Sequence, residues 1–234
     1  MGSGADLGAA TDSDGDRVIF ADESGTVHFG DISGCVFISE ILKRSKGGVV
    51  VTPINASSLV EWTAKKYGGK VVYCKVGPPN IVSALKREGA VFAFEETGKN
   101  IWPDAIFYGD AVLSTLKLLE IMADRGQDLS EIISEFPKFY RVKTGVRCPN
   151  ELKEKVLRMA FEEWEKLGMQ AEINTLDGVK IMYPDDSWLL LRPSNTEPFF
   201  RVYSESKSNE RAKELADLGL KLVEKALRKV KNFK

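Results

Sequence analysis

Between residues 47 and 138, short runs rich in valine and bounded by glycine alternate with segments whose apolar residues follow helical spacing. Strands that alternate with amphipathic helices are typical of βαβ crossovers and of a mostly parallel sheet covered on both faces. We predict strands at 48–53, 70–75 and 90–94, and helices at 57–67, 80–88 and 110–124. Residues 47–138 are therefore predicted to form a doubly wound, mostly parallel α/β domain.

Residues 1–46 contain only part of such a unit. A strand, a turn and a second strand are predicted within 18–29, followed by a helix at 33–43. Few residues precede position 12, so a strand at the start of the chain would find its sheet partners later in the sequence. We therefore interpret this segment as the end of a larger α/β domain.

The pattern changes again after residue 138. A strand at 140–147 and a helix at 151–167 precede two or three strands between 169 and 204, and a long helix runs from 209 to about 231. Helices set apart from a cluster of neighbouring strands indicate a small α+β domain over residues 139–234.

Composition excludes several classes of function. The 234 residues include 33 basic and 34 acidic side chains, which gives no electrostatic reason to expect nucleic acid or an anionic membrane as partner. No apolar run approaches the ~20 residues of a membrane span, and no secretory signal starts the chain. Cys35, Cys74 and Cys148 form no C-x-x-C motif, which argues against a disulfide framework or zinc ribbon and favours a cytoplasmic location.

The run DSDGDR at residues 12–17 places Asp12, Asp14 and Asp16 at alternate positions, with Arg17 directly after them. Alternate side chains on an extended backbone point the same way, so these carboxylates are expected to converge and to need a divalent cation. An EF-hand loop is excluded because Arg17 stands where that loop needs glycine, and no flanking helices are predicted. We favour Mg²⁺ over Ca²⁺ because Arg17 would suit a neighbouring phosphate. A solvated acidic turn is the weaker alternative.

Two later loops carry polar groups after predicted strands. Glu95 and Thr97 follow the strand at 90–94, where they could bind sugar hydroxyl groups, although an ordinary surface turn remains an alternative. The segment Arg192–Pro198 combines hydroxyl, amide and backbone N–H groups between two prolines, and Arg201 follows it. We favour a phosphate site there over a polar hairpin.

These three loops, in this order, resemble those of the α-D-phosphohexomutase family, which includes phosphomannomutase, phosphoglucomutase and phosphoglucosamine mutase. The resemblance covers nearly the whole chain, with Ser13, Thr97 and Asn195 in place of the residues usual in the family. Lys99 stands where the family commonly has a histidine that handles protons. His28, the sole histidine, is expected to be structural.

The resemblance implies a role for each matching residue. Asp12, Asp14 and Asp16 would hold Mg²⁺; Arg17 and Lys99 would be catalytic; Glu95, Thr97, Arg192, Ser194, Asn195, Thr196 and Arg201 would bind the substrate. The implied activity is that of an intramolecular phosphotransferase that interconverts hexose 1-phosphate and 6-phosphate through a bisphosphate.

The family's phosphoserine loop has no counterpart in these residues. We therefore expect the chain to be the C-terminal portion of such an enzyme, inactive alone and completed by the missing N-terminal half, with a hexose phosphate as ligand. The alternatives are a non-catalytic module that binds sugar phosphates and a magnesium-dependent phosphatase in which Asp12 is the nucleophile. Glu95 and Thr97 are compatible with several sugars.

Overall fold

The computed structural model describes residues 4–232, so the first three residues of the predicted segment 1–46 lie outside it. The chain divides into two compact units, Met1–Pro137 and Lys138–Lys234. Among the described residues, no helix combines the length and the hydropathy needed to cross a membrane.

The described part of the first unit contains eight strands and five helices. They are β1 (Gly8–Thr11), β2 (Val18–Ala21), β3 (Val27–His28), α1 (Gly30–Ser45), β4 (Gly48–Pro53), α2 (Ser58–Lys66), β5 (Gly69–Cys74), α3 (Pro78–Glu88), β6 (Phe92–Glu95), β7 (Lys99–Trp102), β8 (Ile106–Gly109), α4 (Ala111–Arg125) and α5 (Leu129–Ser134). β1, β2 and β3 form a small antiparallel sheet.

The main sheet of this unit has the order β5-β4-β6-β7-β8. β4 pairs in parallel with β5 and β6, as βαβ crossovers require, and the α/β class predicted from the sequence is confirmed. β7 and β8 extend the sheet with antiparallel pairings and were not predicted. The buried Lys99 and Asn100 open β7, so this strand, which lies between β6 and β8, lacks the apolar run by which β4, β5 and β6 were identified.

Aromatic side chains pack between α1 and the main sheet. The Phe37 ring of α1 lies 5.1 Å from Trp102 and 5.9 Å from Phe92, measured between ring centroids, in edge-on arrangements. Gly34 leaves room on the same helix for the Phe94 ring, which a Cβ there would meet at 2.7 Å. Burial of these rings fixes α1 across β6 and β7, the two strands that the 96–98 turn connects.

The described part of the second unit contains five strands, two helices and a short 3-10 turn at Asn150–Leu152. They are β9 (Tyr140–Arg147), α6 (Lys153–Glu165), β10 (Glu172–Asn174), β11 (Val179–Met182), β12 (Trp188–Pro193), β13 (Phe199–Ser206) and α7 (Asn209–Asn232). Four strands follow α6, where two or three were predicted; the additional one, β10, has only three residues.

All strand pairings in the second unit are antiparallel, in the order β10-β11-β12-β13-β9. One face of the sheet, which includes Leu189, Phe200 and Val202, belongs to the buried core together with residues of α6 and α7. The carboxylate of Glu163 on α6 lies 2.8 Å from Nζ of Lys229 on α7 and also pairs with Lys225. The helices thus cover one face of an antiparallel sheet, which is the predicted α+β arrangement.

A hydrogen-bonded carboxylate closes the hairpin between β2 and β3. Asp22 is buried, and it accepts from the backbone amides of Ser24 and Thr26 at 3.0 Å and is bonded to His28 Nε2 at 2.7 Å. Burial raises the pKa of Asp22, but the hydrogen bonds from Ser24, His28 and Thr26 outweigh it and lower the pKa to about 2. The ionised carboxylate therefore stabilises this hairpin.

The low pKa of Asp22 predicts a specific loss of stability in acid. Because the unfolded chain takes up this proton near the ordinary value of 3.8, the contribution is complete above about pH 4 and declines as the pH falls toward 2. With solvent screening allowed for, we expect Asp22→Asn to cost on the order of 1 kcal/mol at pH 7 and much less at pH 2.5. Urea unfolding at both pH values measures this; an equal loss at both would contradict the prediction.

Candidate functional site

The three aspartates predicted to bind a metal converge in the turn between β1 and β2. One carboxylate oxygen each from Asp12, Asp14 and Asp16 lies within 4.8 Å of the others. Gly15 lies at the apex of the turn with φ +68°, and its amide donates to the Asp12 carbonyl at 3.3 Å. Asp14 is exposed while Asp16 is buried, so the cluster is open to solvent on one side only.

Two glycines, Gly98 in the turn before β7 and Gly109 at the end of β8, allow the backbone of the acidic turn to approach closely. A Cβ on Gly98, whose φ is +89°, would overlap the Val18 carbonyl oxygen, and the Val18 amide donates to the Gly98 carbonyl at 3.1 Å. A Cβ on Gly109 would overlap the Asp16 carbonyl oxygen. The Ala111 amide donates to the Gly15 carbonyl at 3.0 Å. The turn is therefore held against the ends of β7 and β8.

Arg17 joins two of the carboxylates. Its guanidinium donates from Nε to Asp12 Oδ2, its amide donates to Asp12 Oδ1 at 3.2 Å, and Nε lies 3.4 Å from Asp16 Oδ1. Partial burial raises the pKa of Asp12. The hydrogen bonds from Arg17 outweigh this effect, so the pKa of Asp12 lies below its ordinary value. Asp12 therefore stays ionised and available to a cation at neutral pH.

Asp16 is the buried member of the cluster, and its two oxygens differ. Oδ2 accepts a hydrogen bond from Lys99 Nζ. Oδ1 is buried and accepts no hydrogen bond from any residue that the structure describes. A buried oxygen with an unfilled lone pair is costly unless something pairs with it. A hard divalent cation between the three aspartates would pair with it, and the donor set, all carboxylate oxygens, suits Mg²⁺.

Lys99 lies beside this cluster at the start of β7. The residue is 5 % exposed, and Nζ lies 4.3 Å from the centroid of the Tyr108 ring. Burial lowers the pKa of Lys99, but the bonds to Asp16 and Tyr108 outweigh it and raise the pKa above its ordinary value. Lys99 is therefore an ammonium ion at neutral pH, which suits electrostatic stabilisation better than proton abstraction.

The predicted sugar loop follows β6. Thr97 Oγ1 donates to Glu95 Oε2 at 3.1 Å, so these two candidate residues lie together. Glu96 Oε1 accepts from Asn55 Nδ2 at 2.9 Å, a contact absent from the sequence prediction because nothing near Asn55 marks it. Asn55 thus holds the side chain of Glu96, the residue between Glu95 and Thr97 in the sequence.

The predicted phosphate loop lies in the second unit, between β12 and β13. Arg192 and Ser194 at its base are buried, whereas Asn195 and Thr196 at its tip are exposed. Arg201, on β13, pairs with Glu197 at 2.5 Å. The loop therefore presents an amide and a hydroxyl on a buried base.

Two residues that the sequence analysis did not identify, Asp177 and Lys153, bind the base of this loop. Arg192 Nε donates to Asp177 Oδ2 at 2.8 Å, which orients the guanidinium. Lys153 Nζ donates to the carbonyls of Ser194 and Glu197, on either side of the tip. Lys153 starts an ordinary amphipathic helix, so no local pattern could have shown this role.

Comparison with known proteins places both units in one family. Residues 29–163 match the family model described as phosphoglucomutase/phosphomannomutase, alpha/beta/alpha domain III, and residues 144–219 match the one described as its C-terminal domain. The chain belongs to the phosphoglucomutase/phosphomannomutase family. The family resemblance inferred from the three loops is thereby confirmed.

Individual members of the family are similar over nearly the whole chain. A phosphoglucomutase/phosphomannomutase of Thermococcus kodakarensis is 41% identical over 225 residues, which are 96% of this chain and 48% of that protein. The chain thus spans about half the length of the curated relatives it matches.

Solved structures of the family share the fold. That of a phosphoglucomutase/phosphomannomutase family protein from Burkholderia thailandensis matches with a TM-score of 0.83 at 24% identity, over 95% of this chain and 47% of that one. That of Aspergillus fumigatus N-acetylphosphoglucosamine mutase, a complex with GlcNAc-6P and magnesium, matches with a TM-score of 0.66 at 21% identity, over 94% of this chain and 48% of that one.

Because of the close approach at Gly98, we expect a substitution there to cost more stability than backbone strain alone would. Gly98→Ala places a methyl group against a backbone carbonyl at positive φ, so we expect a loss of about 2 kcal/mol or more in the free energy of unfolding. Gly126→Ala is the matched control, since Gly126 also has positive φ (+58°) but open space at its Cβ position; about 1 kcal/mol is expected there. Urea unfolding compares the two, and equal losses would contradict the close approach.

Proposed function

We propose that this chain supplies the metal-binding, sugar-recognition and phosphate-binding parts of a magnesium-dependent phosphohexomutase, in segments 1–46, 47–138 and 139–234. The observation that carries this proposal is the convergence of Asp12, Asp14 and Asp16 around the buried Asp16 Oδ1, which accepts no hydrogen bond from the described residues. The family to which the chain belongs gives the class of reaction, and the cluster gives the site at which charge would be neutralised.

In this proposal, Asp12, Asp14 and Asp16 would hold Mg²⁺, which would supply positive charge next to the phosphoryl group that is transferred. Arg17 and Lys99 contribute two further positive charges beside it, the first from the turn and the second from β7. Phosphoryl transfer depends mainly on positioning and on stabilising charge. The side chains of Arg17 and Lys99 are already held in position by Asp12 and Asp16. Little reorganisation would then accompany the reaction.

The remaining candidate residues are assigned to the rest of the substrate. Glu95 and Thr97 would bind hydroxyl groups of the sugar, with the carboxylate accepting and the threonine hydroxyl donating or accepting. Arg192, Ser194, Asn195, Thr196 and Arg201 would bind the phosphate that does not react. The loop is suited to this because its base is fixed by Asp177 and Lys153.

For the whole protein, we propose interconversion of a hexose 1-phosphate and a hexose 6-phosphate through a bisphosphate. The serine that carries the phosphoryl group in the family would come from an N-terminal half, and this chain alone would be inactive. We place the protein in the cytoplasm, because its three buried and widely spaced cysteines suit a reducing compartment.

Calorimetric titration with Mg²⁺ tests the metal site. Asp14 is exposed, so Asp14→Asn removes a ligand without disturbing the core, and we expect metal affinity to fall at least about ten-fold. Asp104→Asn, which removes an exposed carboxylate from the turn between β7 and β8, is the control and is expected to leave the affinity unchanged. Mg²⁺ binding by the wild-type chain that Asp14→Asn leaves unchanged would exclude a metal at this cluster.

A complementation assay tests the proposed activity. The isolated chain, given glucose or mannose 1-phosphate, a hexose bisphosphate and Mg²⁺, is expected to form no 6-phosphate. Addition of the N-terminal half of the Thermococcus kodakarensis relative is expected to restore conversion, and Arg192→Gln to reduce it at least ten-fold through lost phosphate contacts. Conversion by the chain alone would refute the absence of a carrier, and release of free phosphate would favour the phosphatase alternative.

A further inference from the structure

Lys99 lies within the acidic cluster itself. Its ammonium group is bonded to Asp16 Oδ2 and lies over the Tyr108 ring, and only 5 % of the residue is exposed. The β7 backbone to which it belongs is paired with β6 on one side and β8 on the other. The positive charge is therefore held close to the carboxylates by the sheet.

A divalent cation at the three aspartates would have to share Asp16 with this ammonium ion. Asp16 Oδ1 would bind the metal while Oδ2 stays bonded to Lys99, so two cations would lie on opposite oxygens of one carboxylate. Because the site is partly shielded from water, the repulsion between them is stronger than it would be between exposed charges. Arg17, 3.4 Å from Asp16 Oδ1, adds to the same effect.

We propose that Lys99 is a positioning residue that serves as the resident counter-ion of Asp16. It holds the carboxylate in place when no metal is bound, and it lowers the affinity of the cluster for divalent cations. This inference rests on the proposed function in one respect, the metal site at Asp12, Asp14 and Asp16. It differs from a role in proton transfer, because it requires the charge of Lys99 and not the exchange of its proton.

The test measures metal affinity with the full chain at pH 7.5. Free Mn²⁺ is followed by electron paramagnetic resonance, and Mg²⁺ binding by calorimetry. Lys99→Met removes the charge and keeps most of the side-chain volume, and we expect both metals to bind at least about ten-fold more tightly. Lys99→Arg restores the charge and is expected to return the affinity to near the wild-type value.

Lys86→Met is the matched control. Lys86 Nζ also lies over an aromatic ring, that of Phe107, at 4.7 Å from its centroid, and its loss changes the net charge equally. Metal affinity is expected to be unchanged in this variant. An increase equal to that of Lys99→Met would show a general effect of net charge and would overturn the proposal.

The positioning role has its own readout. In the presence of EDTA, Lys99→Met is expected to unfold at a lower temperature than the wild-type chain, because the buried Oδ2 of Asp16 loses the ammonium ion that donates to it. Added Mn²⁺ is then expected to raise its midpoint by more than it raises that of the wild type. If Lys99→Met does not fold, Lys99→Gln, which lacks the charge but can donate a hydrogen bond, takes its place in both measurements.

The outcomes separate this inference from the proposed function. Equal or weaker metal binding by the uncharged variants, with Asp14→Asn still weaker than wild type, overturns the counter-ion role and leaves the metal site standing. Absence of binding by the wild type and by all uncharged variants overturns both. Binding that is measurable only after the charge of Lys99 is removed supports both.

Discussion

The backbone of the acidic turn at residues 12–17 lies directly against Gly98 and Gly109, and the geometry of the candidate site depends on this close approach. The carbonyls of Val18 and Asp16 occupy the space that a Cβ on either glycine would need. Two backbone hydrogen bonds, from Val18 to Gly98 and from Ala111 to Gly15, then fix the position of the turn relative to the main sheet. Without that support, three neighbouring carboxylates would separate through mutual repulsion.

Helices and strands could be predicted from the sequence where their apolar residues follow the spacing that is typical of the element. The strands at 48–53 and 140–147 were predicted with the bounds that the structure has, because their residues are apolar or alternate as expected for strands. β7 and β8 could not be predicted in this way. β7 opens with Lys99 and Asn100, which are polar although they are buried, and β8 exposes most of its apolar residues.

A similar division holds for the site. The acidic turn, the Glu95–Thr97 loop and the Arg192–Pro198 loop are contiguous in sequence, so each could be identified as a motif, and their residue roles remain proposals. Lys153 and Asn55 support these loops from distant positions and carry no motif. Their function follows only from tertiary contacts, with Lys153 reaching the carbonyls of the phosphate loop and Asn55 reaching Glu96. Sequence motifs thus reveal the groups at a loop's surface better than the groups that hold it.

The Arg192–Pro198 loop, which we propose binds phosphate, shows why such supporting groups matter. Two carbonyls that flank its tip point to a single ammonium, and the guanidinium at its base is tied to Asp177, so its conformation is set before any ligand arrives. A loop ordered in advance loses less conformational entropy on binding than one that must fold around the anion. The exposed tip can then consist of small polar residues such as Asn195 and Thr196, because rigidity comes from the buried base. The turn at residues 12–17 is supported in two ways, by the close approach of its backbone to Gly98 and Gly109 and by the cations Arg17 and Lys99.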